Sequence, residues 1–149
     1  MRYKNPFKMG ALGVLVFLAG CATMDSGRMA EKSLYQRLGG KEAITAVVDD
    51  FVGRVAADKR INGFFAKANI SRLKTQLVNQ ICEASGGPCK YTGPDMKAVH
   101  KGMGITGEAF DALVGDLVAT LDKFKVPAKE KGELLSVLGP MKKDIVEKM

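Results

Sequence analysis

One histidine, His100, and three cysteines, Cys21, Cys82 and Cys89, are the side chains of this sequence best suited to chemistry. A zinc centre takes three or four protein ligands, so a lone histidine cannot build one. It can hold an iron that brings its four equatorial ligands with it in a porphyrin, and spacing alone also leaves it an ordinary structural or surface residue. Six residues separate Cys82 from Cys89. A disulfide closing that loop would contribute about 2.5 kcal/mol on the chain-entropy account; a metal pair and two free thiols are the alternatives. With no other cysteine or histidine beside them the pair makes a poor zinc site, and the disulfide is the better reading. The chain has no phosphate-cradling glycine loop, paired metal motif or serine elbow. Asp49-Asp50 reads as solvated charge at the polar edge of a helix.

Cys21 belongs to a different setting. Residues 1–20 are basic at first, then almost continuously apolar from Ala11 to Ala19, too short a run to span a bilayer. They read as a secretory signal peptide. The stretch ends in Leu18-Ala19-Gly20-Cys21, which resembles the lipobox of bacterial lipoproteins, where the cysteine is acylated and becomes the new N-terminus. Acyl chains anchor a protein through about 0.8 kcal/mol per buried methylene. The expectation is a protein of the bacterial cell envelope, lipid-anchored through Cys21 and facing the periplasm. Ala22 rather than Asp after the cysteine favours the outer membrane by the same resemblance. Residues 21–32 form a small, polar tether, and residues 33–149 a single domain. In an oxidising compartment a Cys82–Cys89 disulfide would persist.

The formal charge is +7. Removing Arg2, Lys4 and Lys8 with the leader leaves +4, with lysines scattered among acids. No basic stretch is interleaved with aromatics, so no nucleic-acid partner is expected. Apolar residues at 46% and charged residues at 26% describe a globular chain.

The elements that must position these residues are helical. Apolar residues recur three and four apart in Ile44, Val47, Val48, Phe51, Val52 and Val55. The pattern repeats in Ile70, Leu73, Leu77, Val78 and Ile81, along Phe110 to Phe124, and in Leu134, Leu135, Leu138, Met141 and Ile145. Each stripe is the buried face of an amphipathic helix. Gly39-Gly40 ends a short first helix, Ser33 to Leu38. Asn62-Gly63 breaks the chain after the second. Pro127 opens the last helix, and Gly139-Pro140 should kink it. His100 lies in a short helical piece, Asp95 to Lys101, between a Gly/Pro-rich loop and Gly102-Gly104. The fold class is all-α.

From Ser33 to about Ile145 the chain resembles the group 1 truncated haemoglobins. The resemblance rests on Ser33-Leu34-Tyr35 with Leu38-Gly39-Gly40, Phe64-Phe65, and Ser71-Arg72-Leu73-Lys74. It continues in Gly86-Gly87-Pro88, Tyr91-Thr92-Gly93, Met96-Lys97-Ala98-Val99-His100 and Gly104-Ile105-Thr106. It implies a globin-like two-over-two helical sandwich around haem b. His100 falls on the proximal iron ligand and Phe65 on the pocket phenylalanine. Val52, Leu73, Leu77, Ile81, Tyr91 and Met96 are expected against the cofactor, and the ligand is a diatomic gas: oxygen, carbon monoxide or nitric oxide.

The sequence departs from the family on the distal side. The family's tyrosine position is occupied by Val52 and its glutamine position by Leu77, so the wall reads as aliphatic: Val52, Leu73, Leu77, Ile81. Those family side chains donate hydrogen bonds to bound oxygen, and losing one costs about 1.5 to 3 kcal/mol. Weak oxygen retention and a relative preference for carbon monoxide or nitric oxide follow. Gln76 and Gln80 share one side of the same helix with Leu73 and Leu77, and are the polar candidates for reaching the ligand. A haem enzyme acting on nitric oxide, nitrite or peroxide, with an electron donor, is one alternative. A periplasmic haem redox or sensor module is the other.

Overall fold

The computed structural model describes residues 31–148. The signal peptide expected at 1–20, Cys21 and the tether up to Ala30 lie outside the described residues.

Among the described residues seven α-helices follow one another: α1 (Leu34–Arg37), α2 (Gly40–Ala57), α3 (Ile70–Ala84), α4 (Met96–His100), α5 (Gly107–Lys123), α6 (Ala128–Leu138) and α7 (Lys142–Ile145). Short 3₁₀ turns, Asn62–Phe65 and Gly139–Met141, lie between α2 and α3 and between α6 and α7. The described residues contain no strand, as the all-α reading expects.

Local chemistry sets the helix starts. Ser33 accepts from the Gln36 N–H while the Gln36 side chain accepts from the Ser33 N–H, a reciprocal capping box. Asn69 caps α3 through Arg72 N–H, Asp95 caps α4 through Ala98 N–H, and Thr106 caps α5 through Ala109 N–H. Each satisfies a backbone donor that a helix start leaves without a partner. Gly39 enters α2 at φ 95°, where a side chain would be strained. At Gly139-Pro140, where a kink is expected, the chain tightens into a single 3₁₀ turn, with Leu138, Gly139, Met141 and Lys142 all in the right-handed helical region. Proline cannot donate within the helix, and the last stripe is split into α6, the 3₁₀ turn and α7.

The stripes on α2, α3, α5 and α6 meet in one core. Ile44, Val48 and Val55 of α2, Val78 and Ile81 of α3, Leu117 and Leu121 of α5 and Leu134 of α6 are all buried there. A second, smaller cluster joins Ile105, Phe110 and Ile145. Cys82 and Cys89 are bonded, with Cα atoms 5.7 Å apart. The bond ties the end of α3 to the loop that leads into α4.

Candidate functional site

The site is built on α4. That helix has one turn and no buried residue, and His100 is its last residue. The His100 Nδ1 lies 2.7 Å from the Met96 carbonyl oxygen. A carbonyl oxygen only accepts, so Nδ1 carries the hydrogen and Nε2 presents its lone pair. Nε2 has no hydrogen-bond partner among the described residues.

His100 lines a cavity of about 380 Å³. Phe64 and Phe65 enter it from the 3₁₀ turn, Leu73 from α3, Phe110 and Leu113 from α5, and Ile145 from α7. Val99, Met103 and Ile105 complete the side nearest His100, and Lys67 contributes the one cationic side chain of the wall. The lining is otherwise aliphatic and aromatic, the character of sites that hold an apolar cofactor with few fixed polar groups.

A second cavity, of about 280 Å³, lies beside Gln80, Glu83, Tyr91, Asp95 and Met96. Gln80 Nε2 lies 3.3 Å from Met96 Sδ and 3.4 Å from Met141 Sδ. On α3, Leu73 faces the first cavity, while Gln80 and Ala84 face the second. Positions 73, 77, 80 and 84 share one side of a helix. Both cavities therefore lie along a single face of α3, opposite the chain that carries α4.

Of the residues expected at the site, His100, Phe65 and Leu73 meet at the first cavity. Tyr91 and Met96 line the second. Val52 and Ile81, expected on the distal wall, are buried in the main core, and Leu77 packs against that core. The α2 stripe packs on α3 and α5, so Val52 is not among the residues that line the cavity, although Phe65 and Leu113 of its wall pack against the same core. Gln80 is engaged by the two methionine sulfurs, and the Gln76 Oε1 is buried without a partner.

Of the other lining residues, Phe110, Met103 and Ile145 belong to no motif, and Ile105 belongs only to Gly104-Ile105-Thr106. Phe110, Ile105, Met103 and Ile145 reach the site because the Gly102–Gly104 turn brings α5 and the C-terminal segment beside α4. The only signal for Phe110 was its place on the α5 stripe, which marks burial but not a neighbour.

Carboxylates hold the chain on both sides of His100. Glu83 accepts from the Tyr91 N–H at 3.0 Å and from Lys90 Nζ at 3.1 Å. The Tyr91 N–H and Lys90 hold its carboxyl below the usual range. The Tyr91 hydroxyl donates to the Pro94 carbonyl at 2.7 Å, and burial pushes its phenol up. Glu147 accepts from the Gly102 and Gly104 N–H groups, both at 2.6 Å, and these two donors hold it below the ordinary carboxylate range.

Known proteins give this geometry its place. The model of the bacterial-like globin family matches residues 33–147. A group 1 truncated haemoglobin of Mycolicibacterium paratuberculosis is 42% identical over 113 residues, covering 76% of this chain and 83% of that protein. One from Synechocystis is 38% identical, covering 72% of this chain and 90% of the relative. Among solved structures, the truncated haemoglobin of Tetrahymena pyriformis in its Fe(III) form superposes with a TM-score of 0.74 at 32% identity. It spans 77% of this chain and 98% of its own. The 2/2 haemoglobin of Synechococcus, solved in the cyanomet state with covalently attached haem, superposes at 0.73 and 31% identity, over 77% and 98%. The fold is thus the two-over-two helical sandwich, and the chain belongs to the bacterial-like globin family, among its group 1 truncated haemoglobins.

Proposed function

We propose that this chain binds haem b in the space between α3 and α4, with His100 Nε2 as the protein ligand to iron, and that a diatomic gas is its ligand. The observation that carries this reading is the His100 ring. It opens on an apolar cavity with Nδ1 committed to the Met96 carbonyl, so that Nε2 is the atom offered to a metal.

The residues present fit the group. Phe65 and Leu113 suit a flat, apolar ring system, and Lys67 offers a cation to carboxylate substituents at its edge. When bound, haem supplies an iron with a coordination position for the gas. The chain supplies the proximal imidazole, an aliphatic wall that keeps water out, and few donors on the side where the gas would sit. The α3 side of the cavity is Leu73, which offers no hydrogen-bond donor, and the positions that the resemblance gives to the family's donors hold Val52 and Leu77; one lost charge-assisted hydrogen bond costs about 1.5 to 3 kcal/mol. That is roughly ten- to a hundred-fold in oxygen affinity. Carbon monoxide and nitric oxide, less polar when bound, lose less, and the chain favours them over oxygen relative to relatives that carry those donors.

The same proposal places the domain at a membrane surface facing the periplasm, held by lipid on Cys21, with the outer membrane favoured. Leu18-Ala19-Gly20-Cys21 after an apolar leader supports this, and the Cys82–Cys89 disulfide suits an oxidising compartment. Cys21→Ala should move the protein from the membrane pellet to a soluble or unprocessed form, and unchanged fractionation with no lipid on the wild type argues against it. Titrating haemin into the full-length protein in detergent tests the cofactor reading. One equivalent should give a saturating Soret band, and no stable uptake overturns it. Stopped-flow oxygen release from the ferrous protein tests the ligand preference; release as slow as in relatives with the distal tyrosine contradicts it.

A further inference from the structure

Helix α4 carries the only histidine, yet burial does little to hold it in place. No residue of α4 is buried, and Val99 and Met103 on either side of His100 are 45% and 36% exposed. Apolar burial is the usual source of positional rigidity, so the ring must be fixed by other means.

The chain after His100 turns through two glycines with left-handed backbones, Gly102 at φ 81° and Gly104 at φ 65°. Successive N–H groups in such a turn can converge on one side and form a concavity that binds an anion. Here the anion is part of the chain. Glu147 Oε1 accepts from the Gly102 N–H and Oε2 from the Gly104 N–H. The same tail is fixed by backbone contacts, since Glu147 N–H and Lys148 N–H both reach the Ile105 carbonyl, at 2.9 and 3.2 Å. Thr106 and Lys148 pair as an isolated bridge. The turn so held contains Met103 and leads directly into Ile105, both on the cavity wall with His100. The other end of the segment is held separately, by Glu83 on Tyr91 and by the disulfide.

We propose that Glu147 is a positioning residue for His100: its carboxylate clasps the Gly102–Gly104 turn and so sets how firmly the imidazole holds the cofactor. This rests on the haem reading above. It assigns a task to a C-terminal residue remote from the cavity in sequence, one that no motif marks.

The test compares full-length wild type with Glu147→Ala and Glu147→Gln, and with Asp144→Ala as an exposed carboxylate on α7 outside the clasp. Haem transfer to an excess of apomyoglobin should be about tenfold or more faster for Glu147→Ala, which removes both charge-assisted contacts. Glu147→Gln should fall between, because its amide keeps one acceptor oxygen. The iron–histidine stretching band of the ferrous protein should shift in Glu147→Ala, while Asp144→Ala should match wild type in both readouts. An unchanged transfer rate and band in Glu147→Ala, or an equal effect from Asp144→Ala, overturns the proposal. A wild type that takes up no haem overturns the haem reading instead. The clasp is then read from hydrogen exchange at the Gly102 and Gly104 amides of the haem-free protein. These should be protected in wild type and exposed in Glu147→Ala, and equal exchange in the two overturns it.

Discussion

The His100 Nδ1 donates to the backbone carbonyl of Met96, the first residue of the same one-turn helix, at 2.7 Å. The ring is therefore oriented by main chain, and the geometry of α4 itself aims Nε2. Met96 is used twice, since its carbonyl serves His100 while its sulfur receives Gln80 from α3. Whatever fixes the backbone of residues 91–105 fixes the imidazole. In this chain those fixtures are the Cys82–Cys89 bond, the Asp95 cap, Glu83 and Glu147.

The proposed correspondence with the family puts a distal donor at the position of Leu77, which packs against the core on the face of α3 shared with Leu73 and Gln80. Leu77→Gln should slow oxygen release about ten- to a hundred-fold, the size of one charge-assisted hydrogen bond. Carbon monoxide release should change far less. Stopped-flow release of both gases from the ferrous protein checks this, and equal changes for the two would refute a hydrogen-bonding role at that position.

Gly87 has no room for a side chain. A Cβ there would lie 2.5 Å from the Tyr35 ring, 2.7 Å from Cys82 Sγ and 2.8 Å from the Cys82 carbonyl oxygen. Cys82 is fully buried and disulfide-bonded, so it cannot give way. Gly87→Ala should cost about 1 to 3 kcal/mol or more by overpacking. Gly63→Ala, where nothing lies within 4 Å, should cost far less. Thermal melts of the two variants decide the point.

Much of this was legible in the sequence. The four apolar stripes locate α2, α3, α5 and the final helical segment because a 3.6-residue period is local information. His100, Phe65 and Leu73 line one cavity, and all three lie in stretches where the resemblance to the family is carried by short motifs. Val52, expected against the cofactor, is buried in the main core and does not line the cavity. A stripe shows that a face is buried but not which neighbour buries it, and the α2 stripe is spent on α3 and α5. Glu147 left no local signal. Its role depends on the C-terminal segment returning to a turn more than forty positions earlier, a contact made by topology.

Asp116 and Asp58 should set opposing pH dependences. Asp116 is buried on α5 with one oxygen lacking a partner, and burial, with Asp58 nearby, pushes its carboxyl up. Asp58, bonded to the Arg60 side chain and N–H, is held at about 2. A raised carboxyl makes the native state bind more protons than the unfolded chain, so Asp116 weakens the fold as pH rises through the carboxylate range. A depressed one acts in reverse, and Asp58 stabilises at neutral pH and loses that effect as pH falls from about 4 towards 2. Asp116→Asn should therefore raise the melting temperature at pH 7, with the gain shrinking in acid. Asp58→Asn should lower it at pH 7 and flatten the acid limb. Melting curves from pH 3 to pH 7 read both signs.

The proposed bond between this protein and haem iron is made by His100 Nε2. The most direct measurement is the absorption and resonance Raman spectrum of ferrous His100→Gly, recorded beside wild type with and without added imidazole. Wild type should show an iron–histidine band that is lost in the variant and returns when free imidazole fills the space vacated by the side chain. A variant that keeps the wild-type spectrum without imidazole would contradict it.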